Sequence, residues 1–279
     1  MTEALRALAV FAEPPVPEHT AIAAALALPP PPTADEHTAI LGFQVLPYAS
    51  IYLGAEGMLG GEARDRIAGF WRALGGSPPH EPDHASILLA ALAALASSDV
   101  RHPDARVRAA RTALYWEHIA SWTPPFLAAL RRIGPRFYAA WADALDAMLA
   151  AEADALGPPT ALPLHLRAAP PPPDPPPDLD GLLAAVLAPV RAGMVIARDD
   201  LARCADDLGL GLRAGERRFA LRALLAQDAT GVLRWLAREA ARQATAYGDA
   251  SPITRWWTAR AEAGARWLEQ LAEASVERP

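Results

Sequence analysis

The residues His80-Glu81-Pro82-Asp83-His84 satisfy the zinc-hydrolase pattern H-E-x-x-H letter for letter. That chemistry needs both histidines on one helical face, four residues apart, with the glutamate placed as general base. Pro82 stands between them. Proline breaks a helix interior but is accepted as a first residue, so the expected helix opens at Pro82 and leaves His80 outside it. No third ligand follows at a hydrolase-like spacing, so a zinc-dependent hydrolase built on His80 and His84 is an alternative reading only, and no metal is expected. The same residues read better as a helix entrance. Glu81 or Asp83 would accept hydrogen bonds from the first free N–H groups and oppose the dipole favourably, with His84 opening the apolar stretch Ala85–Ala96.

A second candidate runs from Asp199-Asp200 through Leu208-Gly209-Leu210 to Glu216–Leu225. A helix, a glycine turn and an arginine-rich helix resemble a helix-turn-helix, which makes a DNA-binding regulator using residues 198–226 another alternative. Across 198–222, however, six arginines face five acids, a net of +1, too little to anchor a phosphate backbone. No phosphate-loop, dinucleotide, C-x-x-C or nucleophile-elbow pattern occurs, so no catalytic residue and no cofactor is expected. Cys204 is the single cysteine, which excludes an internal disulfide and fits a reducing compartment. The net charge of −6 argues against nucleic acid and anionic membranes and suits a partner with a basic segment.

Helices must position these residues. Apolar residues make up 52% of the 279, much of it alanine, while strand formers are sparse; Gly193-Met194-Val195-Ile196 is the one candidate strand. Helices are expected at about 18–28, 34–53, 62–75, 82–97, 104–121, 123–133 and 135–156, then 179–190, 198–208, 214–227, 230–247 and 252–273. Glycines after 75, 133, 208 and 247 mark several of the stops. Pro170–Pro173 and Pro175–Pro177 cannot join a helix. The expected organisation is therefore an N-terminal extension over 1–33, a helical part over 34–156, a stiff exposed linker over 157–178, and a helical part over 179–279 that packs on the first. Glu-His-Thr-Ala-Ile occurs twice, at 18–22 and 36–40, and reads as a coincidence of helix starts. Most tryptophans should be core anchors. No segment has the length or composition of a signal peptide or membrane span, so the expected location is the cytoplasm, without membrane insertion.

In order along the chain, Tyr48-Ala49-Ser50-Ile51-Tyr52-Leu53 with Glu56-Gly57-Met58-Leu59, then Glu81-Pro82-Asp83-His84, then Tyr115-Trp116-Glu117-His118 with Trp122-Thr123-Pro124-Pro125-Phe126, resemble the TorD/DmsD family and its nitrate-reductase-chaperone relatives. Pro189–Met194 and Gly215–Phe219 resemble a C-terminal block of some members. The likeness covers roughly 38–270; the family's E-P-x-D-H signature is one residue shorter here, and the proline linker is unusually long. The resemblance implies an all-α, TorD-like multi-helix domain and a chaperone rather than an enzyme. The implied partner is the catalytic subunit of a molybdenum-pterin oxidoreductase, bound through its twin-arginine signal peptide, its apoenzyme or both, by a monomer or homodimer. The partner-binding residues it points to are Glu81, Pro82, Asp83 and His84 with Tyr48, Tyr52, Trp116, Glu117, His118 and Trp122. A leader of two arginines before an apolar helix asks for a greasy groove with an acidic rim, which Glu81 and Asp83 beside 85–96, or Glu117 near Trp116 and Trp122, would supply.

Overall fold

The computed structural model describes residues 2–276, and among them the chain is helical throughout, with no strand; residues 193–196 form a connection. The chain divides into two compact units, Met1–Ser50 with Leu59–Arg167, and Ile51–Met58 with Ala168–Pro279.

In the first unit the helix Thr2–Ala9 lies against Ala85–Arg101 and Arg136–Leu156, with Thr123–Ile133 folded back on the last of these. Leu88, Leu92, Leu114, Phe126, Tyr138 and Trp141 fill the space between them and are fully buried. The aromatic rings meet edge to face rather than stacked, as their quadrupoles favour: Phe126 and Trp141 sit 6.1 Å apart at 86°. Buried polar tips find backbone partners, Trp141 Nε1 donating to the Leu8 carbonyl at 2.9 Å and Tyr115 Oη to Leu149 at 2.7 Å. The buried Arg111 forks onto Glu152 with two 2.6 Å bonds and reaches Asp99 at 3.0 Å.

Three of the expected helices differ in kind; the one expected over 179–190 breaks at Ala188, which is extended before Pro189. The helix expected over 34–53 is interrupted. Ala34–His37 and the wide turn Thr38–Gly42 stop before Pro47, and helix resumes at Ala49. Pro47 biases Leu46 out of the helical region, so the chain turns there. The helix expected over 104–121 is α-helical only over Ala105–Ala113; Leu114–Ile119 widens to a π turn. Such a turn re-aims the side chains that follow it.

The second unit is organised by the antiparallel helices Ala229–Tyr247 and Pro252–Val276. The apolar series Leu221, Leu224, Leu225, Val232, Trp235 and Leu236 is buried, as its helical spacing predicts. Ile51–Met58 joins this unit because Arg191 Nε donates to the Ala55 carbonyl at 2.7 Å and Gly57, at φ +61°, lies directly against the Leu187 carbonyl. The prolines of 170–177 carry no helix, yet they do not float free. Arg260 donates to the carbonyls of Pro170 (3.1 Å) and Ala169 (3.2 Å), and Trp267 Nε1 to that of Pro173 (3.2 Å). A polyproline strip keeps its carbonyls unpaired, so it offers acceptors to the donors of the last helix.

Candidate functional site

The segments 47–50 and 83–86 are sewn together. Ala85 N donates to Pro47 O at 2.8 Å, Ala49 N to Asp83 O at 3.0 Å, and Ser50 N to the Asp83 carboxylate at 3.2 Å. The helix expected to open at Pro82 therefore opens at Ala85, and the cap is His84 itself, whose Nδ1 accepts from Ser86 N at 3.3 Å. Pro82 and Asp83 sit in the turn before it, because Asp83 is drawn across to cap a different helix, Ala49–Leu53. Asp83 is 1% exposed and His84 6%, so both belong to the framework; Glu81 alone of the four points into solvent. The Tyr48 ring stands edge-on to His84 at 4.7 Å. Burial first, and then the hydrogen bond to Glu81, pushes the Tyr48 hydroxyl up to about 12, so it stays protonated and donates to that carboxylate. Trp71 Nε1 reaches the Pro82 carbonyl at 3.4 Å.

Ser86, His84 and Glu13 come together beneath this turn. The His84 Nδ1 lies 2.7 Å from Ser86 Oγ, and Ser86 Oγ donates to Glu13. A nucleophilic triad needs the carboxylate on the far ring nitrogen, orienting the base. Here Glu13 accepts from the serine and lies 3.5 Å from the same Nδ1, not on the far nitrogen, so the group closes a cap rather than activating a hydroxyl. The repeated pentapeptide, read as a coincidence, has a spatial counterpart. His19 and His37 are both buried, and Glu13 acts electrostatically on each of them as on His84. Burial lowers all three histidines below their ordinary value; the sequence signal for this cluster was the duplication itself.

Trp116, on the π turn, is 7% exposed; Trp122, just before the next helix, is 1% exposed and donates Nε1 to the His118 carbonyl at 2.8 Å. Glu117 and His118 face partly outward. The Glu117 carboxylate accepts from Leu164 N at 2.7 Å, tying down the short helix Leu164–Arg167. This brings His165 to 6.3 Å from His118 between ring centres, with Phe70 at 5.1 Å on the other side of His118. Burial, reinforced by the second histidine, drops His118 to about 4; burial, with Arg66 beside it, drops His165 equally. Both rings are therefore neutral near pH 7. His118 Nδ1, His165 Nε2, Trp116 Nε1 and Arg66 Nη1 are buried without a hydrogen-bond partner among the described residues. Tyr52 is fully buried and falls in the second unit, near Arg217.

The two alternative sites lack the geometry they need. Neither His80 nor His84 lies in a helix; His80 is exposed and His84 buried, so the pattern forms no common helical face. In the helix-turn-helix reading, Arg217 is turned inward to the Ile196 carbonyl at 2.8 Å, while Arg218 and Arg222 share Asp180. Among the described residues, no group of three or more His, Cys, Asp or Glu could hold a metal ion, and no helix is long and apolar enough to cross a membrane.

Residues 41–128 match the family described as nitrate reductase delta subunit, and no curated protein and no solved structure matches significantly. The matched segment contains all ten residues that the resemblance singled out, from Tyr48 to Trp122, including the sewn turn at 81–86 and the π turn. Over this segment, set in an all-helical fold, the chain is similar to the nitrate reductase delta subunit family, in agreement with the TorD/DmsD likeness of the residues it contains.

Proposed function

We propose that this protein is a chaperone that holds the precursor of a molybdenum-pterin oxidoreductase, through its twin-arginine leader or its apoenzyme, until cofactor is inserted. The observation that carries the reading is the coincidence of the family match with the rigid turn at 81–86. Within that turn the roles divide. Asp83 and His84 are consumed in capping and hold the turn, while Glu81 stands at the surface with the Tyr48 hydroxyl on it and Trp71 behind. An exposed carboxylate on a fixed support, next to aromatic surface, suits a guanidinium followed by an apolar helix. No step of covalent chemistry is involved; the protein's work is binding and release.

The test is a fluorescence titration of a synthetic twin-arginine leader peptide against wild type, Glu81→Arg and Asp83→Ala, with thermal melts of each. Glu81→Arg should weaken binding by about tenfold, or about 1.4 kcal/mol, with little change in stability, because it reverses an exposed charge. Asp83→Ala should instead cost about 1–2 kcal/mol of stability, the value of a lost cap with its N–H left unpaired, and keep the affinity of the folded molecule. Equal affinity of wild type and Glu81→Arg at low salt would remove Glu81 from the binding surface.

A further inference from the structure

The Arg217–Leu225 helix and the glycine loop before it form a groove of about 570 Å³ lined by Gly211, Leu212, Arg213, Phe219, Arg222 and Gln227, among others. It lies entirely within the second unit. Its floor is apolar. Leu212 is 46% exposed and Phe219 47%, two large side chains left in water on one concave surface. Its rim is basic. Arg218 and Arg222 share the single carboxylate of Asp180, and Arg213 has no ion-pair partner among the described residues. Arg213 and Arg222 line the groove and Arg218 stands beside it, three guanidiniums against the two acids Asp180 and Glu216, which leaves a locally positive site on a chain of net charge −6. The groove is also fixed in shape. The Gln227 side chain clamps the loop, accepting from Gly211 N at 2.8 Å and donating to Gly211 O at 2.8 Å and Ala223 O at 2.9 Å. Phe219 leans on Gly215, where a Cβ would meet its ring at 3.0 Å.

We infer that this groove is a docking surface for an acidic amphipathic segment of a partner protein, with an apolar side chain seated between Leu212 and Phe219 and carboxylates on Arg213 and Arg222. The charge decides the occupant. A twin-arginine leader is repelled by this rim, so the groove takes a different segment from the one assigned to Glu81, and the inference does not depend on that assignment. Nucleic acid offers the right sign of charge but the wrong body. Arg217, the residue opening the helix, is spent on the Ile196 carbonyl, and an apolar floor holds a side chain better than a phosphate. A pre-formed groove loses little entropy on binding, which favours a short, transiently held segment.

The experiment uses the full chain and two fluorescent helical peptides of about 15 residues, with the same leucine face but flanked by glutamates in one and arginines in the other. A labelled DNA duplex serves as third probe. The acidic peptide should bind at least about tenfold tighter than the basic one, with the preference shrinking as salt rises, because rim charges are screened. Arg213→Glu should abolish the preference, and Phe219→Ser should weaken the acidic peptide by a similar factor. Both residues are exposed, and melts will verify that the variants fold. Equal binding of the two peptides, unchanged binding by both variants, or tighter binding of the duplex than of the acidic peptide would each overturn the inference.

Discussion

Lowering the pH from 7 to 5 should destabilise the protein through His118 and His165. His165 is buried, His118 is half-buried with its Nδ1 shielded from solvent, and both are held near 4 in the folded chain, against about 6.5 when unfolded. Between those values the unfolded chain binds more protons than the folded one. The stability these neutral rings contribute is therefore fully present above about 6.5 and is lost as pH falls toward 4. For one such histidine the linkage integral between pH 7 and pH 5 is about 2 kcal/mol. The pair should give between about 2 and 4 kcal/mol, since the second proton must enter beside the first. The surroundings offer little relief. Arg66 opposes protonation of His165, Glu62 favours it but is already bonded to Arg66, Glu117 is engaged by Leu164 N, and Phe70 covers His118. Urea unfolding at both pH values would be compared for wild type and the double variant His118→Gln/His165→Gln. The glutamines keep hydrogen-bonding capacity without titrating, so the acid-induced loss should shrink by that amount, and His19, His37 and His84 account for what remains. An identical loss in both proteins would refute the reasoning.

Two further outcomes follow from packing. Arg111→Ala strands Glu152 as an unpaired buried carboxylate, leaves Asp99 only Arg108 at 3.8 Å, and should cost about 3–5 kcal/mol in urea unfolding; a cost below that of an ordinary surface change would show that the site takes up water. Gly264→Ala drives a Cβ into the Ala192 carbonyl at the last helix and should lower stability by about 1–3 kcal/mol in a thermal melt, whereas an unchanged melting temperature would mean that the backbones part freely.

Much of this protein was written locally. Alanine-rich composition, proline and glycine punctuation, and the apolar stripe from Leu221 to Leu236 determined an all-helical chain and most of its helix ends, because these signals act over one or two turns. The order of weak motifs between Tyr48 and Trp122 carried the family likeness. What the sequence could not display were partnerships across long separations. Asp83 looks like a cap for its own helix, yet its carboxylate crosses 33 residues to Ser50, so the helix starts three residues later and the side chain is buried. Glu117 reads as an acidic rim but holds Leu164, which carries His165 to His118. The duplicated pentapeptide gained meaning only when folding set both histidines near Glu13. Local propensity decides which segments are helices; only the packed chain decides which polar groups are consumed in holding it together and which, such as Glu81 and Arg213, stay exposed at the surface.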